Sequence, residues 1–275
     1  MAALVDKGRT KRMAISGKFV IKKHTILLTF MVSSVTYAAA ESAAKCEDHF
    51  GQIAQSSDET SEKISRWKEY SESCAGTGVY EYQLAKLHIA NRDYSAAEKV
   101  LSTSDDFPPP YEQYAALAKG DVVLHQKDYG SAEARYRKVV DDYPDWSNGY
   151  SNLGFAQLAL GKYQDAVANL EKSISIQPTA TAYRDAALAY YRLNEYERAA
   201  AALNNAYSLN NNIVSDRDAM VVGVRSFAEL GKFEVAKNLL AMLLQARPGM
   251  KEDDEFLKAG LFLRQKLIEA GQIVE

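Results

Sequence analysis

Cysteine is nearly missing from this chain of 275 residues: Cys46 and Cys74 are the only two, and they form no CxxC pair. Paired-cysteine zinc sites are thereby excluded, and a dithiol redox function has little support. Histidine is almost as rare. His24, His49, His88 and His125 stand at no metal-ligand spacing, and neither HExxH, a Walker A loop nor a GxSxG elbow occurs. The sequence therefore carries no enzyme signature, no metal set and no cofactor motif; His88 and His125 read as solvated or capping residues on helices. Basic clusters are scarce too. Residues 1–40 hold seven of the Lys and Arg and one acid, which leaves 26 basic and 35 acidic side chains beyond them, a net of −9. Nucleic-acid binding draws its affinity from clustered Lys and Arg, so no nucleic-acid partner is expected. The acid pairs Asp105-Asp106 and Asp141-Asp142 read as solvated charge.

A long apolar run is also lacking. The uncharged stretch from Thr25 to Ala40 falls short of the roughly 20 apolar residues of a spanning helix and is polar at Ser33, Ser34 and Thr36. It follows a basic segment and closes on Ala38-Ala39-Ala40, an A-x-A site, which predicts a secretory signal over 1–40 cleaved after Ala40. Met13 would serve as an alternative start, and retention of 25–40 as an anchor is the other outcome. Either way the remainder is expected outside the membrane, periplasmic or secreted. That compartment permits a Cys46–Cys74 disulfide, worth about 3–4 kcal/mol in the chain-entropy view.

What the chain has in quantity is repetition. Tyr94, Tyr129, Tyr163, Tyr196 and Phe233 recur at intervals of 35, 34, 33 and 37 residues, each inside a similar segment such as LALGKYQDAVANL (158–170). Within 147–178, Tyr150, Leu153, Gly154 and Gln157 share a helical face. Gly161-Lys162 then ends that helix; a second begins near Gln164, buries Ala166, Leu170 and Ile174, and stops at Pro178. Small residues at Gly154 and Ala166 let the two pack closely as an antiparallel hairpin.

These units resemble the tetratricopeptide repeat, with its pattern W-x₂-L-G-x₂-Y…A-x₃-F…P. Tyr150, Leu153-Gly154, Ala166-x₃-Leu170 and Pro178 carry the match in 147–179. Gly120, Ala132-x₃-Tyr136 and Pro144 carry it in 113–146, Leu84-Ala85, Ala97-x₃-Leu101 and Pro109 in 78–112. In 180–213 it rests on Tyr183, Ala187, Tyr190 and Ala199-x₃-Leu203, with Asn211 in place of Pro. The least regular unit is 217–250, where Gly223-Val224 replaces Leu-Gly but Phe227, Ala236-x₃-Leu240 and Pro248 remain; the extra residues Val214 to Asp216 precede it.

The resemblance implies an all-α, right-handed α-solenoid of about five helix hairpins over 78–250. Residues 41–77 read as an amino-terminal helical cap, two short helices over 47–57 and 58–73 stapled by the cysteines, with Trp67 and Tyr70 one turn apart. Residues 251–275 read as a carboxy-terminal capping helix, headed by four acids at its amino terminus and carrying Phe256, Leu257, Leu261, Phe262, Leu263, Leu267 and Ile268. One face should pack on the last repeat, and a homodimer or partner contact there is the further expectation.

By the same resemblance the first helix of each hairpin lines a concave groove that holds a protein or peptide partner. The positions are Tyr82, Lys86 and Ile89; Tyr114, Leu117, Asp121 and Leu124; Ser151, Phe155 and Leu158; Arg184, Leu188 and Tyr191; and Val221 and Arg225. Relatives that grip acidic chaperone tails use a Lys-Asn set on this face. Here Tyr82, Leu117, Ser151, Arg184 and Val221 replace the first Lys, and Phe155 an Asn, which speaks against such a clamp. The expected function is a non-enzymatic interaction scaffold in envelope assembly or secretion. The alternatives are a membrane-anchored subunit recruiting a complex and, at longer odds, a glycan-binding protein using the tyrosines.

Overall fold

The computed structural model describes residues 40–102, 107, 109 and 111–273. The expected export segment, up to Ala39, and the Asp105-Asp106 pair lie outside the described residues.

Helix α1 covers residues 40–55, followed by α2 (Thr60–Lys68) and a single turn, α3 (Ser71–Cys74). The second cap helix is thus interrupted at Glu69-Tyr70, where Tyr70 leaves helical geometry with φ −88° and ψ 6°. Cys46 on α1 and Cys74 are joined as a disulfide, with Cα atoms 5.8 Å apart. Beneath the bond Trp67 is fully buried and donates its indole N–H to the Tyr80 carbonyl at 3.1 Å.

Five hairpins follow: α4 (Val79–Ala90) with α5 (Tyr94–Ser102), α6 (Tyr111–His125) with α7 (Tyr129–Asp142), α8 (Ser147–Ala159) with α9 (Tyr163–Ile176), α10 (Ala180–Arg192) with α11 (Tyr196–Leu209), and α12 (Arg217–Glu229) with α13 (Phe233–Ala246). Each second helix begins on the recurring aromatic. Two residues before it the backbone turns left-handed, at Arg92, Lys127, Gly161, Asn194 and Gly231. The next N–H donates back to the first helix, Asp93 to His88, Asp128 to Val123, Lys162 to Gln157, Glu195 to Tyr190 and Lys232 to Phe227, at 2.8–3.0 Å. This satisfies a terminal carbonyl that the helix cannot satisfy itself. The repeat in the sequence is therefore a repeat of one backbone device.

Close packing follows from the small residues. Ala97, Ala132, Ala166, Ala199 and Ala236 are fully buried. A Cβ on Gly154 would stand 2.6 Å from Leu170 Cγ and 3.2 Å from the Ala166 carbonyl, and one on Gly120 would stand 2.3 Å from Tyr136 Cε1. The irregular fifth unit stacks like the others. A 3₁₀ turn, Asn211–Ser215, takes up the extra residues, Asp216 caps α12 by accepting from Ala219 N–H, and Ala219 and Val222 join the core of the fourth unit.

Helix α14 (Asp254–Glu269) starts with Asp253 accepting from the N–H groups of Glu255 and Phe256. Its Ala259, Leu263 and Leu267 pack on Val221, Val224, Phe227 and Ala236 of the last repeat. The outer face leaves Leu257 47% and Leu261 65% exposed. Among the described residues no helix is long and apolar enough to cross a membrane. The architecture is an all-α solenoid.

Two expectations need correction. His88 is 6% exposed rather than solvated, because α4 turns it inward at the cap; its Nδ1 lies 3.6 Å from Asp93 Oδ2, and burial pushes its pKa down. Val221 is likewise 6% exposed, since α14 covers it, so it belongs to the core and not to the groove.

Candidate concave interface

The remaining groove positions lie on the first helices of the five hairpins, where a three- and four-residue spacing turns them away from the hairpin's own core. Lys86 is exposed, and Tyr82, Ile89, Tyr114, Leu117, Asp121, Leu124, Ser151, Phe155, Leu158, Arg184, Leu188, Tyr191 and Arg225 are half-buried. They divide into three zones.

The amino-terminal zone is aromatic. The Tyr82 ring lies 5.4 Å from that of Tyr114 and 6.4 Å from that of Tyr111, and Lys86 Nζ is 5.3 Å from the Tyr82 centroid. Burial pushes the Tyr82 phenol up to about 12, so it stays a hydrogen-bond donor. Below it, Asp121 Oδ1 accepts from Tyr136 Oη at 2.6 Å and Asn152 Nδ2 at 3.1 Å, and burial raises its pKa. Lys86, Ile89, Arg92, Tyr94, Asp121 and His125 border a cavity of about 390 Å³.

The central zone is apolar. Leu158, Leu188 and Tyr191 rest on the core shared by the third to fifth units and keep one side open, beside half-buried Phe155 and Leu117. In the carboxy-terminal zone the charges neutralise one another. Arg184 bridges Asp185 at 2.7 Å and Asp216 at 3.2 Å, and Arg225 reaches Glu255 at 3.4 Å. Asp185 is 2% exposed, and burial pushes its carboxyl up to about 6 despite the neighbouring guanidinium. These arginines join consecutive units, a role that their own positions in the sequence do not reveal.

Residues missed by the sequence reading complete the surface. Trp146, at the start of the third hairpin, sets its ring edge-on to Tyr114 at 5.3 Å. The available signal was a spacing of 32 residues from Tyr82 to Tyr114 and again to Trp146, hidden by the 34-residue period. Among the described residues no group of three or more His, Cys, Asp or Glu side chains is placed to hold a metal ion. The arrangement offers stacking, apolar contact and hydrogen bonds.

Comparison with known proteins agrees with this geometry. A 65-residue segment is 42% identical to the Hsp70-Hsp90 organizing protein of Triticum aestivum, covering 24% of this chain and 10% of that relative. Among solved structures, Pseudomonas aeruginosa PilF superposes with a TM-score of 0.65 at 17% identity, over 82% of this chain and 99% of that one. A chain of the Cut9–Hcn1 hetero-tetramer from the APC/C gives 0.64 at 16% identity, over 76% of this chain and 40% of its own length. At such identities the likeness is one of fold. The family model described as Tetratricopeptide repeat matches residues 82–145 and 152–212, and with the repeated hairpin geometry this makes that part of the chain an array of tetratricopeptide repeats, a fold of protein-interaction scaffolds.

Proposed function

We propose that the protein is an exported, non-enzymatic scaffold that holds a segment of a partner protein in its concave groove during assembly or secretion of envelope components. The observation that carries this reading is the central zone. Phe155 and Leu158 of the third unit and Leu188 and Tyr191 of the fourth keep apolar surface open along two successive units while the charges beside them are paired within the chain. Half-buried apolar and aromatic side chains held by a rigid scaffold are the usual site of binding hot spots. A chain of similar fold is solved within the Cut9–Hcn1 hetero-tetramer, which accords with a partner-binding role.

The test is affinity capture from the native envelope, with wild type against the Phe155→Glu, Leu188→Glu, Tyr191→Glu variant, both showing wild-type circular dichroism. A partner held by wild type and lost by the variant is the expected result. Equal capture by both would move the site to the convex face or to α14.

A second reading keeps residues 25–40 in the membrane, so that the repeats recruit a complex to it. Amino-terminal sequencing separates the two, since a chain starting at Glu41 requires cleavage. Exposed Leu257 and Leu261 also favour a homodimer or partner contact through α14; a monomer by light scattering at tens of micromolar would remove the dimer.

A further inference from the structure

The aromatic zone is built differently from the rest of the groove. Tyr82 on α4, Tyr114 on α6 and Trp146 at the amino-terminal cap of α8 stand in succession, and their rings step across the surface at 5.4 and 5.3 Å. The first pair is tilted by 35° and the second stands at 86°, so the rings touch and form a stepped, grooved surface rather than a flat stack. All three rings are half-buried. Among the described residues, Tyr82 Oη, Tyr114 Oη and Trp146 Nε1 donate to no protein acceptor, yet none is a buried unsatisfied atom. Three solvent-facing donors thus accompany two ring-to-ring steps of one aromatic surface.

Resting on the groove reading above, we infer that this ladder docks a proline-rich segment of the partner in the polyproline II conformation, with an acidic residue flanking the proline run. Polyproline II leaves its backbone carbonyls unpaired and is already ordered before binding, so it supplies acceptors to such donors at small entropic cost. A helical partner would have spent its carbonyls internally and left the donors to water. Length agrees as well: two steps of the ladder cover no more than about 11 Å, and one polyproline II turn of three residues advances about 9 Å. Proline rings pack on exposed aromatic faces and in the shallow grooves between tilted rings without losing side-chain rotamers. The acidic flank is assigned by charge. Lys86 lies over the Tyr82 ring at the amino-terminal end of the ladder and makes no ion pair among the described residues, whereas Arg184 and Arg225 deeper in the groove are already paired.

The test uses the whole exported chain and three probes: a synthetic peptide with one glutamate before a run of prolines, an amphipathic helical peptide, and chitotetraose. Binding is followed by calorimetry and by the emission of Trp146, identified by its loss in Trp146→Phe. The proline peptide should saturate and shift Trp146 emission to the blue. Tyr82→Phe with Tyr114→Phe keeps the rings and the packing but removes two donors, and should weaken binding about tenfold; Lys86→Ala should abolish the advantage of the glutamate. No binding of the proline peptide up to about 1 mM, or preferential binding of the helical peptide or the sugar at Trp146, overturns the inference. If the native partner is still lost from the Phe155, Leu188, Tyr191 variant, the groove reading survives that failure. Conversely, proline binding at Trp146 with native capture unchanged in that variant supports the ladder and removes the central zone as the main site.

Discussion

Gly154 sits where α8 and α9 cross, and any Cβ there would meet Leu170 at 2.6 Å. A side chain can enter only if the helices separate, and overpacking of this kind costs about 1–3 kcal/mol. Gly154→Leu should therefore lower the urea midpoint clearly; an unshifted midpoint would mean that the two helices do not approach as described. Asp185 makes the opposite kind of prediction, one of pH. Burial holds its carboxyl at about 6, against an ordinary value of 3.8, so the folded chain binds this proton more tightly than the unfolded chain. Its contribution to stability is full below pH 3.8 and is lost as pH rises through 6. Asp185→Asn removes that dependence. The stability of wild type relative to the variant should grow by on the order of 2 kcal/mol between pH 7 and pH 4.5, read from urea midpoints at each pH. A constant difference would mean that the Arg184 pair keeps the carboxylate ionised throughout. Burial was invisible at this site in the sequence because Arg184-Asp185 looks like any surface pair; Asp216, 31 residues beyond Asp185, completes it only after the fourth and fifth units stack.

At the scale of elements, the disulfide belongs to the cap. It closes a separation of 28 residues between α1 and Cys74, over the cluster in which Phe50 meets Trp67 edge-on at 5.2 Å and Trp67 stacks on Tyr80 at 5.5 Å. Tyr111 at the head of α6 donates to Glu47 on α1, so the cap also touches the aromatic end of the groove. Cys46→Ser with Cys74→Ser should cost about 3 kcal/mol. Because each unit of a solenoid contacts only its neighbours, the loss should stay local. Hydrogen exchange should quicken in α1 to α4 and remain at the wild-type rate in α8 to α11; uniform quickening along the chain would show a single cooperative unit instead. The two cap helices were legible from their apolar spacing. The break at Tyr70 was not, since it follows from the positions of Trp67 and the disulfide rather than from any local breaker.

For the whole molecule, α14 covers one face of the fifth hairpin. Removing residues 251–275 would expose Val221, Val224, Phe227 and Ala236, which Ala259, Leu263 and Leu267 now cover. At about 1.5–3 kcal/mol for each large apolar side chain left uncovered, the fifth unit should unfold well before the second to fourth. A truncated chain should therefore melt in two transitions and aggregate more readily than the full chain; a single transition at the wild-type temperature would show that α14 is dispensable.

The sequence by itself determined the hairpin and its number. Helix periodicity, a left-handed turn before each aromatic and the Ala and Gly at the crossings are local properties, and each is written within about 34 residues. The fifteen groove positions came from the family resemblance laid over that register; the structure places fourteen of them half-buried or exposed on the first helices and buries Val221. Only the tertiary structure decided which side chains the neighbouring units leave free. Val221 is covered by α14, Arg184 and Arg225 are paired across units, and Trp146 stands against Tyr114 as the third ring of the ladder. Those relations depend on how one hairpin stacks on the next, a contact between residues some thirty positions apart whose geometry no local pattern encodes.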